Sequence, residues 1–197
     1  MSKEVWTSRG LQVLVIALLY FLTGKLGLLW AMPPGYASPV WPPAGLGLAA
    51  LLLWGQNRWP GIFLGSLLIN LTSTRLNPGD VNHLGIALVM ALGNTMSLVI
   101  AGKLIRRFLK FPKPFFLERD CILFLVIAGP FAALISSSFG IMVLALGHQV
   151  HSANIFMNWL HWFAGDATGG LLFSPLGLIF SKDSRAFWIR SAKTVIV

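Results

Sequence analysis

Charged residues are scarce in this sequence, and acidic residues are the scarcest. Only 11% of the 197 residues are charged, with 6 acidic against 15 basic side chains, whereas 56% are hydrophobic. A soluble domain of this size needs a far more polar surface. The composition therefore predicts an integral membrane protein.

Cysteine and alternating apolar patterns are also nearly missing. Cys121 is the single cysteine, which excludes an intrachain disulfide and a cysteine metal cluster. The apolar runs are continuous, whereas the strands of a membrane barrel alternate between polar and apolar residues. The expected fold class is all-α, a polytopic transmembrane helical bundle embedded in the lipid bilayer.

Six membrane segments are predicted, and two of them are short. They cover residues 11–30, 42–54, 60–71, 81–105, 121–146 and 153–180. The second begins at Trp41-Pro42-Pro43, and proline suits a first helical turn because its missing N–H would lack a partner there anyway. Gly129-Pro130 predicts a kink in the fifth segment.

Basic residues gather at the ends of these segments. Lys3 and Arg9 precede the first, residues 103–113 follow the fourth, and a basic tail follows the sixth. The positive-inside rule then places both termini in the cytoplasm. Topology and anionic lipid account for the net charge of +9, so we expect no nucleic-acid partner.

The whole chain, 1–197, is expected to be one membrane domain. Residues 181–197 form a basic cytoplasmic tail or the start of a further segment, because the sequence ends on the apolar run "TVIV". This ending predicts a chain truncated before a cytoplasmic output domain.

Two ionisable residues are predicted at membrane depth. Asp166 lies near the middle of the sixth segment and Lys25 in the outer half of the first. Charges in lipid are costly and are usually paired or functional. Two hypotheses follow: a structural Lys25–Asp166 ion pair, or a contact from either residue to a polar ligand or a proton.

The sixth segment also carries aromatic and small polar residues at helical spacing. Trp159, Trp162 and Asp166 share one face, while Asn158, His161, Gly165 and Thr168 form an adjacent stripe. Such a stripe favours close helix packing. The alternative is an aromatic-walled cavity with Asp166 at its floor, open to the outside, with Trp41 at its edge.

Catalytic and metal sites are not indicated. His83, His148, His151 and His161 lack a zinc motif, and the serines at 136–138 lack a nucleophile elbow. We therefore expect no metal, no cofactor and no enzymatic activity in this chain.

Four pieces of the sequence occur in a familiar order. They are "GYASPVWPPAGLGLAALLLWG", "RWPGIFLGSLLIN", "ALGNTMSLVIAGKLIRRF" and "NWLHWFAGDATGGLLFSPLGLIF". Together, over about residues 20–180, they resemble the bacterial membrane-associated sensor domain of the first type, in the MASE family. The matching positions are Trp41, Pro42, Pro43, Trp59, Pro60, Gly61, Asn94, Asp166, Gly169 and Pro175, whereas Ser97 stands where many relatives carry a glutamate.

The resemblance implies a multi-pass sensor of the bacterial inner membrane. Relatives precede histidine kinases of two-component systems or enzymes of cyclic-di-GMP turnover. A small molecule or a membrane-protein partner would supply the signal, and a homodimer is possible. The candidate ligand site comprises Lys25, Trp41, Asn94, Trp159, His161, Trp162 and Asp166. Two other functions stay open: a solute-binding subunit of a transporter, and a metal-dependent intramembrane enzyme.

Overall fold

Six helices make up the part of the chain that the structure, a computed structural model, describes: residues 3–31, 38–73, 83–111 and 117–179, with side chains from residue 9 onward. They are α1 (Lys3–Leu29), α2 (Pro42–Trp54), α3 (Trp59–Leu71), α4 (His83–Phe108), α5 (Glu118–Leu146) and α6 (Ile155–Ile179). No strand occurs in these ranges. The all-α fold class is confirmed, while the predicted tail at 181–197 lies outside the described residues.

The helix boundaries follow the hydrophobic runs closely. α2 begins and ends where the sequence predicts, and the other ends fall within 3 residues of the prediction, except that α1 starts 8 residues earlier. The predicted kink at Gly129-Pro130 takes the form of a π turn over Ile127–Phe131 within α5. Proline has no N–H for the helical ladder, and a π turn is a usual way for a helix to accommodate that gap.

The helices form a closed ring in the order α1, α3, α4, α5, α6 and α2, and α2 also touches α4 across the ring. α1, α3 and α5 end, and α2, α4 and α6 begin, at the same end of the bundle. We call this the outer end, because the sequence predicts that it faces outside.

Helix α2 is too short to cross the lipid core by itself. Its 13 residues span about 20 Å, whereas the hydrocarbon layer is about 30 Å thick. Nine of those residues are buried, so neighbouring helices and not lipid surround most of it. This shielding makes a short membrane helix tolerable, since its free ends need protein or water as partners.

The apolar interior fills the half of the bundle opposite the outer end. Leu48, Leu51, Leu52, Ile62 and Ile105 belong to one cluster and are at most 1% exposed. A smaller cluster of Ile86, Met90, Val143 and Leu144 joins α4 to α5 nearer the outer end. The space between the two clusters is where polar side chains collect.

The outward surface is strongly apolar, as a lipid-facing surface must be. Leucines along α1 such as Leu11 and Leu29 are 63% and 76% exposed. Among the described residues, three helices are long and apolar enough to cross a membrane, over Arg9–Leu29, His83–Phe108 and Glu118–Leu146, and α2 is a shorter apolar helix. α6 is also long, but buried polar residues interrupt its apolar character. The chain is thus an α-helical membrane bundle.

Arg106, on α4, caps the end of α2 that lies away from the outer end. Its guanidinium donates to the carbonyl oxygens of Leu51 and Leu52 and lies 5.8 Å from the Phe111 ring centroid. The last carbonyls of a helix have no partner within the helix. A cation from α4 therefore supplies the C-terminal cap of α2. Gly55 then turns the chain with φ of 98°, a conformation that favours glycine.

Candidate functional site

A small polar cavity lies between the helices toward the outer end. Its volume is about 40 Å³, and one water site takes roughly 10–15 Å³. The cavity therefore has room for a few waters or for a group of similar size. Its lining comprises Leu28, Ser38, Trp41, Ile69, Asn70, Ser73, Met90, Asn94, Trp162 and Asp166.

A second, smaller space continues the cavity inward. It shares Trp41, Asn94 and Asp166 with the first and adds Tyr20 and Ser136, among others. Trp41 and Asp166, which the sequence analysis places at the edge and the floor of one cavity, therefore do line the same space. Five of the six helices line this second space, and α2 is one of them through Ala44 in its first turn.

Trp41 is held between α1 and α6 by glycines on both sides. Its indole packs on α1, where a Cβ at Gly27 would lie 3.0 Å from the ring. Its backbone N–H donates to the Gly165 carbonyl at 2.9 Å, and a Cβ at Gly169 would overlap its carbonyl oxygen. Glycines at these places allow the backbones to meet. The position of Trp41, and with it the start of α2, is therefore fixed by both neighbours.

Asp166 is a buried carboxylic side chain with one oxygen satisfied. It is 5% exposed, and the Ser136 hydroxyl on α5 donates to Oδ2. Trp162, one turn earlier on α6, lies close enough to interact with the carboxyl group, yet among the described residues Oδ1 has no hydrogen-bond partner. A buried polar atom without a partner is costly and calls for an explanation.

The start of α2 lies beside Asp166. Trp41 and Ala44 share the inner space with it, and the N-terminal end of a helix carries partial positive charge, which favours a nearby anion. Pro42 and Pro43 have no N–H, and the Ala44 N–H donates to the Trp41 carbonyl at 3.1 Å, so the first turn of α2 supplies no hydrogen bond to Oδ1.

Two asparagines that line the cavity are bound to Ser66. Asn94 Nδ2 donates to Ser66 Oγ at 2.9 Å, and Asn70 Nδ2 donates to the Ser66 backbone carbonyl at 2.8 Å. An amide group carries donors on nitrogen and acceptor lone pairs on oxygen. Ser66 therefore takes one amide hydrogen of each asparagine, and each side chain also carries an acceptor oxygen.

Lys25 is not part of this arrangement. Its ammonium donates to the Thr72 carbonyl at 2.8 Å, at the end of α3, and lies 5.6 Å from the Phe21 ring centroid. Both Lys25 and Asp166 are described, and no ion pair joins them; no cation among the described residues pairs with Asp166. The ion-pair hypothesis therefore does not describe this structure, because Lys25 caps a helix end instead.

Two more predicted site residues lie away from the cavity lining. Trp159 stacks between Phe156 and Phe163, with ring centroids 6.2 and 5.4 Å away, and donates to Ser138 Oγ. His161 is half-buried on α6 and lines neither space. Of the seven predicted residues, the structure brings together Trp41, Asn94, Trp162 and Asp166.

The stripe of Asn158, His161, Gly165 and Thr168 on α6 has, in part, the predicted role in helix packing. Gly165 meets the backbone of Ser38 and Trp41, and Thr168 Oγ1 donates to the Pro39 carbonyl at 2.9 Å. The residues that precede α2, 38–41, are thus held against α6 along this stripe.

Sequence reasoning missed several cavity residues. Asn70 lies on α3 and Ser136 interrupts an apolar run on α5, so each was visible as a polar position in a membrane helix. Tyr20 and Ser38 carried no such signal. Nothing local shows that they lie near Asp166, since only the order of the helices brings them there. Histidine ligands for a metal do not converge: no group of three His, Cys, Asp or Glu side chains lies together in the described ranges.

The described helices form a ring around a small polar interior, in which Asp166 is the buried acid. The chain belongs to the MASE1 family, whose model matches residues 12–188, and the resemblance seen in the sequence is confirmed. MASE1 is a family of membrane-associated sensor domains, so this chain is a membrane sensory input domain. No curated protein and no solved structure matches it.

Proposed function

We propose that this domain reports the occupancy of the Asp166 cavity to a cytoplasmic output domain, either a histidine kinase or an enzyme of cyclic-di-GMP turnover. One observation carries the proposal. A buried acid with an unpartnered oxygen faces a cavity at the point where α2 begins. A ligand bound in that cavity would change the contacts of Trp41, and therefore the packing of α2 against its neighbours.

α2 supplies the physical connection across the bundle. Its first turn lines the cavity, and its last carbonyls are bound by Arg106 from α4. α4 continues from Arg106 into the basic segment that we expect in the cytoplasm. A shift of α2 is therefore passed to α4 through a charge-assisted hydrogen bond, which is stronger and more directional than an apolar contact.

The cavity size favours a sensor over a solute-binding subunit of a transporter. At about 40 Å³ it is far below the roughly 300–1,000 Å³ of sites that enclose a vitamin-sized molecule. The genomic context separates the two functions. A reading frame that continues beyond Val197 into a kinase or cyclase supports a sensor, whereas a stop codon beside genes for an ATPase pair supports a transporter.

The direct test measures output activity in the full-length protein, in membranes, with Asp166→Asn. We expect this variant to change kinase or cyclic-di-GMP activity several-fold, because it removes the charge at the cavity floor while keeping the side-chain shape. Glu118→Gln, an exposed acid at the start of α5, is the matched control. Unchanged output in Asp166→Asn, with normal protein level, would reject the proposal.

The orientation is part of the same proposal, with both termini in the cytoplasm of an inner membrane. The lone cysteine tests it, since Cys121 is exposed near the start of α5. An impermeant maleimide should label Cys121 in inverted vesicles and not in intact spheroplasts. A cysteine introduced as Ser152→Cys in a Cys121→Ser background should show the reverse.

A further inference from the structure

The lining of the Asp166 cavity specifies the chemistry of its occupant. Three side chains that carry acceptor oxygens line it: Asp166, whose Oδ1 has no hydrogen-bond partner among the described residues, and Asn70 and Asn94, whose amide nitrogens each donate to Ser66. Acceptors in an enclosed space need a donor, because a buried polar atom without a hydrogen bond is costly.

Three of the hydroxyl groups that line the two spaces do not provide that donor. Ser38 Oγ donates to the Val40 backbone carbonyl at 2.8 Å, and Ser97 Oγ donates to the Asn94 backbone carbonyl at 3.1 Å. The Ser136 hydroxyl is already committed to Asp166 Oδ2. These three hydroxyl hydrogens therefore point to acceptors within the protein.

The charge of Asp166 and the shape of the cavity restrict further which ligand can bind. No described cation pairs with Asp166, and a buried carboxylate is stabilised most by an opposite charge that also donates hydrogen bonds. Trp41 and Trp162 line the same cavity, and tryptophan faces attract cations, organic ammonium groups in particular. The volume of about 40 Å³ admits a group of only a few heavy atoms, given roughly 10–15 Å³ for one water.

We propose that this cavity binds a protonated primary amine, with the ammonium on Asp166 Oδ1 and the oxygens of Asn70 and Asn94. An ammonium carries three N–H donors and no acceptor, which matches three acceptors in one enclosed space. The rest of a larger ligand would extend toward the outer end, between Leu28, Ser38 and Ser73. The proposal rests on the sensory function proposed above and names the ligand class of the same site.

The test uses the purified 197-residue chain in lipid nanodiscs and radiolabelled methylamine as the probe, with a scintillation proximity readout. We expect saturable binding that unlabelled ethylamine displaces, and that neither sodium ion nor neutral acetamide of similar size displaces. Asp166→Asn should weaken binding at least about tenfold, since a hydrogen bond to a charged group contributes about 1.5–3 kcal/mol. Glu118→Gln should bind as the unchanged chain does.

Three outcomes would overturn the amine assignment. They are absence of saturable methylamine binding, displacement by sodium ion or acetamide, and full retention of binding in folded Asp166→Asn. The competition series uses the unchanged chain, so it decides even if the variant fails to fold. Altered output in Asp166→Asn without methylamine binding would reject the amine and keep the sensor, whereas binding with unaltered output would reject the sensor and keep the amine site.

Discussion

The two ionisable residues at membrane depth, Lys25 and Asp166, have opposite environments. The Lys25 ammonium reaches a helix-end carbonyl on α3 from the partly exposed face of α1. Asp166 lines two adjoining spaces to which all five other helices contribute, and among the described residues its Oδ1 has no partner. A charge that completes a neighbour's hydrogen bonding is explained by the fold, whereas a charge that the fold leaves incomplete indicates a function. We therefore infer a structural role for Lys25 and a functional one for Asp166.

The largest effect is expected from filling the backbone contact beside Asp166. A Cβ at Gly169 would overlap the carbonyl oxygen of Trp41, which cannot move without displacing α2. Gly169→Ala should lower the free energy of unfolding by about 3 kcal/mol or more. Fluorescence-detected gel filtration after heating measures this loss. Gly85→Ala is the control, because nothing lies within 4 Å of a Cβ there; equal stability of the two variants would show that the Asp166 region is not rigid.

Arg106 extends the comparison between Lys25 and Asp166, since it is a second cation that caps a helix end. Arg106→Gln should cost about 1–2 kcal/mol, because the Leu51 and Leu52 carbonyls lose a charged donor in a partly buried place. Arg107→Gln, at an exposed neighbouring position, should cost almost nothing. The thermal midpoints of the two variants give the difference, and matching midpoints would contradict the capping role.

The smallest single effect is expected at Lys25. Lys25→Met removes one hydrogen bond and one cation–π contact at a half-exposed site, and should cost roughly 0.5–1 kcal/mol. Methylamine binding and output activity should stay as in the unchanged chain. A loss of either would place Lys25 in the ligand site and break the contrast with Asp166.

Combining changes at Lys25 and Asp166 tests directly for an ion pair. With no contact between the residues, the stability effects of Lys25→Met and Asp166→Leu should add to within about 0.5 kcal/mol. Each single variant and the double variant are compared by their thermal midpoints. If Lys25→Met instead rescued a folding defect of Asp166→Leu, the two charges would be paired in the membrane.

The sequence predicted the helices well and the site only in part. Hydrophobic runs and the prolines at 42, 43 and 130 predicted six segments and a kink, because helix length and proline chemistry are local properties. The predicted common face of Trp159 and Trp162 did not bring both to the cavity. Trp159 instead found Phe156, Phe163 and Ser138 as partners, and helical spacing alone could not reveal which neighbour covers each part of that face.

The sequence by itself therefore determined the class of the protein, its helices and its family, because composition, hydrophobic length and ordered motifs are properties of the chain. Tertiary structure decided which polar residues meet. Lys25 joined Thr72, 47 residues away, and Asp166 joined Ser136, 30 residues away, because the order of the helices around the ring sets those distances. The unpartnered oxygen of Asp166 is likewise a property of the packed bundle, since a side chain lacks a partner only when all its neighbours are in place.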